Sequence, residues 1–112
     1  MGDRGNICIQ EKGNKIFFYS HWTGHSLFSV LQEALKRGRD RWDDEPYLAR
    51  IIFCQMIKND VLDNTGFGIS TYLTDNEYPI LVVDSNTRTV SLDDEEWSFQ
   101  EFIELDEDPR IS

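Results

Sequence analysis

The apolar residues of this 112-residue chain change period twice, and that limits the folds open to it. Ile7 and Ile9 alternate with polar neighbours, and in Ile16-Phe17-Phe18-Tyr19 the first and third share one face and the second and fourth the other, as in strands. From Leu27 to Ile57 the apolar residues recur at intervals of three and four, as on one face of a helix, and from Phe67 they alternate again. Strands, then helices, then strands predict an α+β fold, with an antiparallel sheet of about five strands carrying two main helices on one face.

Local signals set the boundaries. Asn6–Gln10 and Lys15–Tyr19 are β-rich runs joined by Glu11-Lys12-Gly13-Asn14, a hairpin signal. Ser26 is a candidate N-cap for a helix through Arg37, with Leu27, Phe28, Leu31, Ala34 and Leu35 as its apolar stripe and Gly38 at its C-terminal cap. Asp43-Asp44-Glu45-Pro46 opens a second helix ending near Lys58 and Asn59, whose wide apolar coverage predicts the most buried element. Phe67–Leu73, Ile80–Val83 and Thr89–Leu92 read as strands, and Ser98-Phe99-Gln100-Glu101 as the capping box of a short C-terminal helix. The expected order is ββ-αα-βββ-α in one domain over residues 1–105, followed by a charged, frayed tail over 106–112.

The chain lacks eighteen consecutive apolar residues, so no membrane span is expected. Its first residues, Met1-Gly2-Asp3-Arg4-Gly5-Asn6, have neither the apolar core of a signal peptide nor the Ser or Thr of a myristoylation site. Cys8 and Cys54 both lie in apolar segments, which predicts buried, reduced thiols and a cytoplasmic protein.

Four constellations invite a chemical reading. Both histidines sit in Tyr19-Ser20-His21-Trp22-Thr23-Gly24-His25, where strand gives way to helix. A ligand-binding or hydrolytic site around Tyr19, His21, Trp22 and His25, helped by Arg50 or Asp43, is one function; packing at a strand end is the other reading. Zinc needs three or four ligands, and no His-Glu-x-x-His or Cys-x-x-Cys pattern supplies them, so neither metal nor cofactor is expected. Asp63-Asn64-Thr65-Gly66-Phe67-Gly68 lacks the Gly-Lys-Ser/Thr of a phosphate loop and reads as a turn into a strand. Lys36-Arg37-Gly38-Arg39-Asp40-Arg41 reads as a solvated helix end, since the net charge of −10 opposes direct nucleic acid binding.

The acidity itself is local. Nine acids and one arginine lie between Ser91 and Ser112, leaving the rest of the chain nearly neutral. Carboxylates spaced on a rigid surface imitate a phosphate backbone, and their long-range field speeds encounter with a basic partner. The candidate contact set is Asp93, Asp94, Glu95, Glu96, Glu101 and Glu104, with Trp97 as aromatic anchor; the competing reading is a solubilising surface. An exposed edge strand at Phe67–Leu73 would support a homodimer, whereas a central one would not.

Three segments, Tyr19–Gly24, Pro46–Ile52 and Thr65–Ser70, resemble small uncharacterised proteins carried by bacteriophages and prophages. The resemblance implies an accessory protein in the cytoplasm of a bacterial host, among which inhibitors of nucleic-acid-handling or defence complexes are frequent. It implies no catalytic residues. The expected function is therefore a small, acidic, non-enzymatic binding protein that engages the basic surface of a host protein or nucleoprotein complex.

Overall fold

A computed structural model describes residues 2–111. The fold is α+β, with six strands in the order β3-β2-β1-β4-β5-β6. The strands are β1 (Gly5–Glu11), β2 (Asn14–Ser20), β3 (Phe67–Ser70), β4 (Leu81–Asp84), β5 (Thr89–Leu92) and β6 (Glu95–Ser98). The helices are α1 (Leu27–Arg37), α2 (Glu45–Ile57) and α3 (Phe99–Ile103).

The sheet is mixed rather than antiparallel: β1 and β4 run parallel at its centre, Ile7 beside Leu81 and Ile9 beside Val83, and all other neighbours are antiparallel. The cause is the route after β3. The chain leaves one edge, crosses β2 and β1 through residues 71–80, and enters beside β1. Asn6 fastens that crossing by donating to the Asp75 carbonyl at 3.0 Å, and Arg4 by pairing with Glu77 at 2.9 Å.

Period-2 alternation decides what the helices cover. Ile16, Phe18, Ile7, Ile9, Leu81, Val83, Val90 and Leu92 share one sheet face and form the core with α1, α2 and α3. The predicted α1 stripe is wholly buried, and α1 rather than α2 is the more deeply covered helix. The reason is position: α2 lies toward the β2–β3 side, where Tyr47 and Cys54 meet solvent. Cys54 is thus exposed, against expectation, while Cys8 is buried and burial raises its thiol pKa.

Several boundaries shift for local reasons. Ser26 does not cap α1: residues 24–26 form a 3-10 turn that runs into the helix, and the Ser26 hydroxyl donates back to the Thr23 carbonyl at 2.9 Å. β3 stops at Ser70, whose Oγ accepts from the Tyr72 amide at 3.0 Å and bends the chain away. The Ser98–Glu101 capping box forms as expected. β6 was not expected, and it makes the sixth strand by pairing Val90 with Trp97 and Leu92 with Glu95.

Candidate functional site

The histidine loop leaves β2 at Ser20. Tyr19 and His21 lie two residues apart, hence on the same side of the strand, and the Tyr19 hydroxyl and His21 Nδ1 share a 2.7 Å hydrogen bond. Trp22 stands edge-on to His21 at 5.1 Å and rests over Gly66, where a β-carbon would come within 2.5 Å of its ring. His25 takes a separate partner, pairing its Nδ1 with Asp3. Each imidazole is therefore held by its own neighbour.

The hydroxyls nearby are also engaged. Ser20 Oγ meets Thr23 Oγ1 at 2.5 Å and accepts from the Thr23 amide at 3.1 Å, so these groups close a turn rather than face an imidazole. Asp43 is remote: it pairs with Arg88 at 3.6 Å, beside Glu11, at the end of β1 opposite the histidines and about 20 Å away along the strand. Arg50 lies in a groove with Phe18, Phe53 and Ile69. The helpers expected from Asp43 and Arg50 are thus absent from the histidine loop. Among the described residues, no three His, Cys, Asp or Glu side chains are placed to hold a metal.

Asp3 organises this end of the molecule, and nothing in the sequence pattern marks it. Its amide donates to the His21 carbonyl at 2.8 Å and its carbonyl accepts from the Gly24 amide at 2.7 Å. Burial pulls the Asp3 carboxyl pKa upward, but hydrogen bonds from Tyr78 and His25 outweigh it and hold the group below its usual value. The reciprocal bond to Asp3 pushes the Tyr78 phenol upward.

Asp108 and Arg110, within the tail expected to fray, pack at the same place. The Arg110 side chain is 1% exposed and grips Asp108 at 2.7 Å. It donates to the carbonyls of Gly24 at 3.0 Å and His25 at 3.1 Å, and its guanidinium lies 4.9 Å from the Tyr78 ring centroid.

The acidic set divides. Asp93 and Asp94 form the β5–β6 turn, with Asp93 at φ 52°, and Glu95 and Glu96 begin the edge strand. All four are exposed, and their side chains make no ion pair among the described residues. Glu101 and Glu104 are occupied: Glu101 accepts from the Ser98 amide at 2.8 Å and Glu104 from Gln100 at 2.7 Å. Trp97 is half-buried against Phe102, with ring centroids 6.1 Å apart, so it supports the hairpin from beneath.

The three arginines of the basic knuckle have partners within the chain. Arg37 donates to Gln55 at 2.6 Å and Arg39 to Gln100 at 2.8 Å, tying α1 to α2 and the following turn to α3. Arg41 lies over the Tyr47 ring at 4.7 Å.

A further feature escaped the sequence: an apolar groove of about 400 Å³ between α2 and the β2–β3 edge, lined by Ile16, Phe18, Ala49, Phe53 and Ile69, with Glu45 and Arg50 at its rim. Its only sequence signal is the apolar surplus on α2, which exceeds what one helix face buries. No helix among the described residues is long and apolar enough to cross a membrane. No protein family, curated protein or solved structure matches the chain.

Proposed function

We propose that this chain is a non-enzymatic protein-binding module that presents the acidic β5–β6 hairpin to a basic surface. One observation carries the reading. Asp93, Asp94, Glu95 and Glu96 are an exposed acidic run with no cation paired to it among the described residues, whereas the knuckle arginines, Arg88 and Arg110 each have another partner in the chain. A two-residue turn on a sheet edge holds these carboxylates at fixed spacing, so little side-chain and loop freedom is lost on binding. Glu101, Glu104 and Trp97 flank and support them. The phage-like segments give the setting: an accessory protein in a bacterial cell, inhibiting a nucleic-acid-handling or defence complex.

Capture from a bacterial lysate at low and high salt tests this, using the wild-type chain beside a variant with all four hairpin acids changed to Lys. Salt and charge reversal should each abolish capture while the thermal midpoint stays nearly unchanged, because these side chains touch nothing in the core. Capture that survives the reversal overturns the proposal.

The second reading, a ligand or hydrolytic site at Tyr19, His21, Trp22 and His25, draws support from the Asp3–His25 pair, which orients an imidazole as a general base requires. Changing both histidines to Asn separates the two, since only a site loses turnover or ligand binding without losing stability.

A further inference from the structure

Residues far apart in the sequence meet at one cluster. Arg110 touches three groups of the domain: the Gly24 carbonyl at 3.0 Å, the His25 carbonyl at 3.1 Å, and the Tyr78 ring, whose centroid is 4.9 Å from the guanidinium. Each of those groups belongs to a residue that is itself tied to Asp3. The Gly24 amide donates to the Asp3 carbonyl at 2.7 Å. The His25 amide donates to Asp3 Oδ2 at 3.3 Å, His25 Nδ1 pairs with the same oxygen, and the Tyr78 hydroxyl hydrogen-bonds the carboxylate. Asp3 and Arg110 thus share the same three residues.

The charged and titratable groups around the pair can be traced element by element. Asp3 faces His25 from the turn before α1 and Tyr78 from the 71–80 crossing. Tyr78 also faces Arg110 and Glu77, and Glu77 is taken by Arg4 at 2.9 Å. His21 meets Asp3 through its carbonyl and gives its ring to Tyr19. Arg110 is paired with Asp108 at 2.7 Å, and its side chain is 1% exposed, against 27% for Asp3 and 65% for His25. Water therefore reaches Asp3 while Arg110 stays dry, so a proton can enter at Asp3 before the guanidinium leaves its seat.

We infer that Asp3 is the proton-operated release of a clasp: its ionised carboxylate keeps residues 106–111 held against the turn before α1, and protonation lets them go while the sheet stays folded. A carboxylate accepts charge-assisted bonds from several donors at once, and the neutral acid holds the His25 turn and Tyr78 more weakly. Arg110 then loses the placement of the groups it grips. Opening bares the Tyr78 face and the His25 turn. It uses none of the hairpin acids and so stands apart from the proposed function.

The direction follows from linkage. Burial pulls the Asp3 pKa upward, yet the Tyr78 and His25 bonds outweigh it and keep the value below that of an ordinary carboxyl while the clasp is closed. Opening frees those donors, so the open form binds the proton more tightly and acid favours it. Closure is fully favoured above the ordinary carboxyl value and is lost as pH falls from there through the lowered one. A single linked proton raises the opening equilibrium by at most about tenfold per pH unit.

Site-resolved amide and Arg110 Nε–H resonances of the full chain, followed from about pH 7 to about pH 3, test it. Near-ultraviolet circular dichroism reports on the rest of the domain. Residues 106–111 should take up free-peptide shifts below the ordinary carboxyl value of about 4, while the domain signal holds. Asp3→Asn should raise the opening equilibrium at neutral pH by about tenfold or more and abolish the acid step. Tyr78→Phe keeps the ring under Arg110 and the His25 bonds but removes one donor to Asp3. It should stay closed at neutral pH and move the acid step upward, and it serves where the Asn variant fails to fold. An acid step that survives Asp3→Asn, or one centred near pH 6.5 (about where imidazoles titrate), assigns release to Asp108 or to a histidine and overturns the inference. So does a step that Tyr78→Phe leaves in place, a segment that stays closed throughout, or one that leaves only as the whole domain unfolds.

Discussion

Truncating Arg110 to Ala probes whether the C-terminal segment is part of the fold. The guanidinium makes two kinds of contact. Three N–H···O contacts of 2.7–3.1 Å go to Asp108, two residues away, and would survive if the segment detached as a unit. The tie to the body is smaller: donation to the Gly24 and His25 carbonyls, and the face of Tyr78. Hydrogen bonds from a charged group contribute about 1.5–3 kcal/mol each, and a cation over an aromatic ring about 1 kcal/mol. Against this stands chain ordering, at about 1–2 kcal/mol per residue. The net grip is therefore small, although the gross terms are not.

That balance decides what the variant does. If the body held the segment rigidly, removing Arg110 would strand a carboxylate that is 10% exposed, at a cost of about 3–5 kcal/mol. Release is cheaper, because Asp108 then rehydrates. We expect Arg110→Ala to lose about 1–2 kcal/mol, lowering the thermal midpoint by about 5–10 °C, with loss of amide protection confined to residues 106–111 and the His25 turn. Thermal unfolding by circular dichroism and site-resolved hydrogen exchange read both. A loss above about 3 kcal/mol refutes the release argument, and an unchanged midpoint with protected tail amides refutes the tie itself.

Two further predictions concern other elements. Gly66 has φ +98° and lies beneath Trp22, so Gly66→Ala should cost about 2–4 kcal/mol from strain and overlap, while Gly68→Ala, which meets nothing within 4 Å, should stay within about 0.5 kcal/mol; urea midpoints compare them. Burial, then Glu11 and Asp44, raise the Glu45 pKa. A carboxyl whose pKa rises on folding favours the folded state while protonated and loses that advantage as pH climbs through its folded value. Glu45→Gln should therefore match wild type in acid and melt higher than it at neutral pH, and equal midpoints at both would contradict the shift.

Local pattern revealed what local physics controls. The α1 stripe, the Ser98–Glu101 box and the first hairpin were all visible, because side-chain period and turn chemistry act over a few residues. In that hairpin the left-handed turn residues are Lys12 and Gly13, at φ 52° and 88°, one position before the Gly13-Asn14 pair the sequence suggests. β6 was hidden because an edge strand beginning Glu95-Glu96 has little buried face and so no alternation to detect. The parallel β1–β4 pairing was hidden because it depends on where residues 71–80 travel. Asp3, Tyr78 and Arg110 meet across most of the chain's length, and no spacing rule reaches that far. Cys54 misled for the opposite reason: its neighbour Phe53 is apolar, but it lines a groove that the fold leaves open.

Charge distinguishes the two edges of the sheet, β3 and β6. An exposed edge strand offers unpaired N–H and C=O groups to any chain it meets, and a small domain with two such edges risks open-ended polymers. Acids on β6 oppose its pairing with a like strand, because such a neighbour would bury Glu95 beside a second carboxylate, whereas β3 carries no charge of its own. Under the proposed function the same four acids would serve two ends. They block edge growth wherever the partner strand is acidic or neutral, and they attract where it is basic. On this argument the β6 acids need no dedicated binding loop to select a basic partner, since the edge that rejects a like chain is already the surface that accepts an unlike one.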